Sequence, residues 1–252
     1  MLSVLNPHER DMHISFEEGP HIYTIDGDSN YMSVTTWNGS HFPKFDSDSI
    51  IERILKKNHE VGSKYYGMSG DDIKKQWEDN GKLQAEAGTK LHFDIECYYN
   101  NNPNENNSLE YQYFMNFVKD YPNLVPYRSE WMIWDKDLRF AGSIDMIFKN
   151  DDGTISIYDW KRCKEISSNS RYNQFAITEC IEHLPDSKVW HYSLQLYTYK
   201  AILEKSYGMK VKECFIVCFH PNKSNYQLIK AKNMTKEVED LFNLRIKLLK
   251  DT

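Results

Sequence analysis

Hydrophobic positions alternate with polar ones early in the chain. In "HISFEEGPHIYTIDGDSNYMSVTTW" (13–37) apolar residues recur at every second place around two turn clusters, Glu-Gly-Pro and Asp-Gly-Asp-Ser-Asn. That spacing predicts a small antiparallel β-meander. The period then lengthens. Asp46 or Ser47 can cap a helix carrying Ile50, Ile51, Ile54 and Leu55. Residues 71–80 predict a short helix and 82–99 a longer one, with Leu91 and Ile95 on one face. Residues 109–120 predict another, ended by Tyr-Pro. Between these last two, the Asn-rich "YYNNNPNENNS" (98–108) is a loop.

Beyond residue 128 the period returns to two. "SEWMIWD" (129–135), "RFAGSIDMIF" (139–148) and "TISIYDWK" (154–161) predict three strands joined by turns. Residues 165–190 are irregular, with room for one helix. "HYSLQLYTYKAILEKSY" (191–207) predicts a strong helix ended by Gly208. "VKECFIVCFH" and "NYQLIKAK" predict two strands, and "TKEVEDLFNLRIKLLK" a closing helix. Helices, three strands, a helix, two strands and a helix make an α/β (α+β) fold with a mixed central sheet flanked by helices. Residues 1–80 read as an N-terminal meander and helical region packed on a core of 81–252, the two forming one compact unit.

Composition narrows the class. Of the 252 residues, 40% are hydrophobic and 27% charged, the profile of a globular chain that can bury a full core. The net charge of −6 gives no global basic signal, although a local basic cleft is compatible with it. The five cysteines (97, 163, 180, 214 and 218) fit no zinc spacing and read as reduced core thiols of an intracellular protein. The first fifteen residues lack the apolar run of a signal peptide, and no segment approaches the ~20 apolar residues of a membrane span.

One strand carries the chemistry. In "ISIYDWKRCK" (155–164), Ile155, Ile157, Asp159 and Lys161 share a face, while Ser156, Tyr158 and Trp160 take the other. Asp159 and Lys161 then lie about 6.5–7 Å apart along the strand. On the preceding strand Asp145 sits among Ile144, Met146, Ile147 and Phe148, where a carboxylate needs a partner or a metal. Gly142, three residues earlier, permits close approach of another group to the backbone. A hairpin through Asp151-Asp152-Gly153 can bring Asp145 and Asp159 together. Two close carboxylates repel, and a divalent cation resolves the repulsion.

Gly-x-x-Asp, thirteen residues, then Asp-Trp-Lys resembles the core of the PD-(D/E)XK nuclease superfamily, whose fold is restriction-endonuclease-like. Two further elements resemble its RecB-like branch. Gly88 and His92 in "GTKLH" match a Gly-x-x-x-His motif, and Gln195 and Tyr199 in "QLYTY" match a Gln-x-x-x-Tyr motif. The four elements follow the family's order over roughly residues 84–205. "MSVTTW" is similar to a Ser-Val-Thr segment that precedes the core in the mitochondrial genome maintenance exonuclease family.

The resemblance implies a metal-dependent nuclease leaving 5′-phosphates, most simply an exonuclease acting on DNA ends or single strands. A structure-specific endonuclease and an inactive nucleic-acid-binding module on the same fold are the alternatives. Implied metal ligands are His92, Asp145, Asp159 and the Trp160 carbonyl, holding Mg²⁺ or Mn²⁺. Lys161 would act on the attacking water and the phosphate. Glu130 matches an acid that many relatives carry, and Gln195 and Tyr199 would position the catalytic groups. Ser33, Thr35, Thr36, Arg162, Lys164 and Arg171 are candidates for contacts to the nucleic-acid backbone. Some relatives hold an iron–sulfur cluster on four cysteines. The cysteines here do not cluster that way, so no iron–sulfur cluster is expected.

Overall fold

The structure is a computed structural model and describes residues 1–57, 62–170 and 173–251. The chain divides into two units, Met1–Pro43 with Leu91–Thr252, and Lys44–Lys90.

The larger unit is built on a six-stranded mixed sheet. Its strands are β3 (Met32–Ser33), β4 (Val125–Asp135), β5 (Phe140–Lys149), β6 (Ile155–Lys161), β7 (Val211–Cys218) and β8 (Gln227–Lys230). The order runs β3-β5-β6-β7-β8, and β4 pairs with the other edge of β5. β4, β5 and β6 are antiparallel neighbours, β6 and β7 are parallel, and β7 and β8 are antiparallel. The parallel step is made by α6 (Lys188–Ser206), the crossover that joining two parallel strands requires. Gly208 ends this helix with a positive φ of 64°, a conformation that costs glycine little.

Alternation on β6 sorts its residues into two cores. Ile155 and Ile157 pack with Leu194, Ile202 and Val238, from α6 and α7 (Thr235–Lys250). Tyr158 and Trp160 pack with Leu91 and Ile95 of α4 (Gly70–Tyr99) and Phe114 and Phe117 of α5 (Leu109–Asp120). Helices therefore cover both faces of the sheet, as the element order predicts.

The N-terminal alternation forms a separate two-stranded sheet, β1 (Ile14–Glu17) with β2 (Ile22–Ile25). The chain then leaves the hairpin, and Met32 and Ser33 join the main sheet parallel to β5. Val34–Gly39 turns into a short helix, α2. Ser33 caps it, accepting the Thr36 N–H at 3.0 Å.

The unit Lys44–Lys90 contains α3 (Ser47–Lys57), where Asp46 accepts the Ser49 N–H at 3.0 Å, so the predicted cap is present. It also contains most of α4. Here the structure corrects the sequence reading: residues 71–80 and 82–99 are one helix of 30 residues, not two. A glycine inside a helix costs only about 1 kcal/mol, so Gly81 does not end it.

Candidate metal-centred active site

The site forms where β5 and β6 part. Their ladder runs from Lys149↔Ile155 to Met146↔Tyr158. Beyond it Asp159, Trp160 and Lys161 stay in register with Ile216, Val217 and Cys218 of β7. The Trp160 N–H, which a continued ladder would give to β5 backbone, goes instead to Asp145 Oδ2 at 2.8 Å. The Trp160 carbonyl accepts His92 Nε2 from α4, also at 2.8 Å. A carbonyl is only an acceptor, so Nε2 carries the proton and Nδ1 faces away from this bond.

Glu130 completes the group. The pairs Ser129↔Met146 and Trp131↔Ile144 bracket it, placing it opposite Asp145. Its φ is +42°, unusual for a residue with a side chain, and such outliers gather at functional sites. Alternation on β5 inverts at the same place: Ile144 lies in one core and Met146, two residues on, in the other. Both strands therefore turn over at the Glu130–Asp145 pair. Ser143 Oγ donates to Glu130 Oε2 at 3.2 Å.

His92 Nδ1 is 3.6 Å from Glu130 Oε1 and 3.7 Å from Asp145 Oδ2. Burial works against the imidazolium, but the Asp145 and Glu130 carboxylates outweigh it and raise His92 to about 9. Burial also pushes the Asp145 carboxyl up, against the pull of His92 and Lys161. A proton thus sits among three groups that could share a larger cation. One ligand atom from each of His92, Glu130 and Asp145 can lie within 4.8 Å of the others. Ligands about 2.0–2.2 Å from one divalent ion stand roughly 3–4 Å from each other, so this donor set fits such an ion. One imidazole with two carboxylates suits Mn²⁺ as well as Mg²⁺.

Asp159 lies beside the trio with its carboxylate turned elsewhere. Its Oδ2 is 2.6 Å from Lys161 Nζ, with the two side chains 3% and 18% exposed. The side-by-side placement read from the alternation is therefore an ion pair. Burial pushes the Asp159 carboxyl up, an effect to which nearby Asp145 adds and which Lys161 opposes. The Lys161 ammonium loses by burial but gains more from Asp159 and Asp145, so it stays charged. It also sits 5.2 Å from the centre of the Tyr192 ring.

Tyr192 is the residue the sequence reading missed. With Gln195 and Tyr199 it falls at i, i+3 and i+7 on α6, a spacing that places all three on one helix face. Gln195 Nε2 donates to Tyr199 Oη over 3.4 Å. Tyr199 is buried, and its ring lies on Gly142, where an added Cβ would come within 2.8 Å of Cε1. The close approach expected at Gly142 is made by this ring.

The backbone-contact candidates take different places. Ser33 also donates to Thr36 Oγ1 at 2.7 Å and contacts Thr35 Oγ1 at 3.1 Å, so these hydroxyls are engaged in the cap of α2. Arg162 Nε donates to Glu110 Oε1 at 2.7 Å in a largely buried pair. Lys164 is exposed. Arg171 lies outside the described residues.

No protein-family model matches the chain, and no curated protein matches it. Solved structures include distant likenesses. One is an alkaline exonuclease from Laribacter hongkongensis, 14% identical, covering 65% of this chain and 79% of its own, with a TM-score of 0.34. Another is a candidate exonuclease from Eubacterium rectale, 14% identical, covering 88% and 81%, with a TM-score of 0.36. Likenesses this remote assign no activity.

Proposed function

We propose that the protein is a divalent-metal-dependent nuclease that hydrolyses DNA phosphodiester bonds. One observation carries the reading: an imidazole and two carboxylates converge where β5 and β6 part, with the Lys161–Asp159 ion pair beside them. His92, Glu130 and Asp145 would hold the ion, and Asp159 is the next acid in reach. The bound ion would supply Lewis acidity toward the phosphate and ease ionisation of water near neutral pH.

The chain's own groups do the rest. Lys161 offers an ammonium to a nonbridging phosphate oxygen or to the attacking water. Asp159 fixes that ammonium in place. The Trp160 backbone ties the two halves of the site together, its N–H bonded to Asp145 and its carbonyl to His92. Tyr199 lies against Gly142 on the β5 side, and Gln195 donates to its hydroxyl. Lys164 and the Ser33–Thr36 turn are retained as candidate phosphate contacts.

Within the class we favour an exonuclease acting on DNA ends or single strands and leaving 5′-phosphates, on the strength of the RecB-like motif order. The test is digestion of end-labelled linear and closed circular DNA, single- and double-stranded, in Mg²⁺, in Mn²⁺ and in EDTA. Metal-dependent shortening of linear DNA with closed circles intact supports the exonuclease. Nicking of circles points to an endonuclease. DNA binding with no product in either metal overturns the enzymatic reading.

A further inference from the structure

Two cysteines lie behind the site without entering its chemistry. Cys218 ends β7 as the register partner of Lys161. Cys163 stands two residues beyond Lys161, where the chain has left β6. The two are 55 residues apart in sequence, yet their Sγ atoms are 3.3 Å apart. Cys218 Sγ also donates to the Cys163 carbonyl at 2.9 Å, so two contacts fix this facing arrangement. The Phe219 N–H bonds the Lys161 carbonyl at 2.8 Å and holds the two chain segments side by side. Both cysteines are buried, 7% and 1% exposed. All five cysteines are free thiols.

We propose that Cys163 and Cys218 are an oxidation site: a dithiol that hydroperoxides convert to an intramolecular disulfide. Closing the bond means shortening the S···S separation to ~2.05 Å. Cys163 can supply that movement because its backbone belongs to no strand. The two sulfurs are hydrogen-bonding neighbours, so the thiol of one can donate to the thiolate of the other.

The steps balance. One of the two cysteines, as its thiolate, attacks one peroxide oxygen, the O–O bond breaks, and the leaving hydroxide takes a proton to become water. That cysteine is now a sulfenic acid. The other sulfur attacks it, the S–OH bond breaks, and the hydroxyl leaves with the second thiol's proton as a second water. Two thiols are oxidised and one hydroperoxide is reduced. Burial selects the oxidant: hydrogen peroxide is small enough to reach a sulfur that is 1% exposed, and a bulky disulfide such as oxidised glutathione is not.

The inference does not depend on the nuclease reading, and its test needs no activity. Reduced protein is treated with hydrogen peroxide or with oxidised glutathione, then denatured and alkylated, and digested without reductant for mass spectrometry. The expected result in peroxide is a Cys163–Cys218 cross-linked peptide, loss of two alkylatable thiols, and their return with dithiothreitol. Oxidised glutathione should leave both alkylatable. Oxidation of Cys97 or Cys180 while Cys163 and Cys218 remain thiols overturns the proposal, as does separate over-oxidation of the pair with no cross-link. Single variants supply a second arm. Cys163→Ser and Cys218→Ser should each give no intramolecular disulfide in peroxide. A disulfide formed in either variant with another cysteine overturns the pairing.

Discussion

Asp145 accepts the backbone N–H of Trp160 at 2.8 Å across the point where β5 and β6 separate. A side chain here does the work of a backbone carbonyl. One Asp145 oxygen therefore holds the splayed strand while the carboxylate as a whole faces His92 and Glu130. The two duties can be separated. Asp145→Asn keeps an oxygen for the Trp160 N–H and removes the charge, whereas Asp145→Ala removes both. Both variants should weaken Mn²⁺ binding by at least ~100-fold, since even groups outside the ligand set change metal affinity by 10–100-fold. Only Asp145→Ala should also lower stability, by about 1–3 kcal/mol for an unmet buried N–H. Calorimetric titration with Mn²⁺ and urea unfolding check the two effects. Equal Mn²⁺ affinity in Asp145→Asn and the parent would remove Asp145 from the ligand set.

The Lys161–Asp159 pair predicts a non-additive result. The two side chains are 2.6 Å apart and almost wholly buried. Lys161→Met leaves the Asp159 charge without its partner and should cost about 3 kcal/mol in urea unfolding. Adding Asp159→Asn should recover most of that loss, because the orphaned charge is gone. Activity should stay at background in both variants. Recovery of nuclease activity along with stability would show that Lys161 has no role beyond neutralising Asp159.

Much of this arrangement was legible because it follows simple periods. The three central strands, α5, α6 and α7 read directly from spacings of two and 3.6, and alternation on β6 already paired Asp159 with Lys161. The failures have local physical causes. Asn80-Gly81 looks like a break, yet one glycine costs a long helix too little to end it. Ser33-Val34-Thr35-Thr36 is β-branched and reads as strand, but the Ser33 cap redirects it into α2. Glu130 was named only through the family resemblance, because its place opposite Asp145 depends on a positive φ and on a register that no period announces. The Arg162–Glu110 pair was out of reach because the two residues lie 52 apart in sequence.

Gly142 makes a steric prediction. An added Cβ would lie 2.8 Å from Tyr199 Cε1 and 3.0 Å from Oη, and the ring is too buried to swing aside. Gly142→Ala should therefore destabilise by about 1–3 kcal/mol. Tyr199→Phe should not relieve it, since Cε1 remains. Tyr199→Leu should relieve part of it at the expense of a packing defect. Urea midpoints of the single and double variants measure the coupling; additive losses would mean that the two side chains do not meet.

His41 predicts a pH dependence far from the metal-binding groups. It is 4% exposed, its Nδ1 lies 2.9 Å from Thr178 Oγ1, and its Nε2 is buried with no hydrogen-bond partner among the described residues. The ring stands perpendicular to that of Trp37, with centroids 4.4 Å apart. The imidazolium carries a proton on both ring nitrogens, and nothing receives the one on Nε2; burial lowers His41 from 6.5 to about 4. Between those two values the unfolded chain holds a proton that the folded one does not. Stability therefore rises with pH across that window and falls as the pH drops from about 6.5 toward 4. The destabilisation is about 3 kcal/mol, complete below about 4 and absent above 6.5. Carboxylates titrate in the same range, so the measurement is a difference: urea unfolding of the parent minus that of His41→Gln, from pH 7 to 4.5. The difference should shift against the parent as the solution is acidified, and a flat difference would place the His41 ring in contact with water.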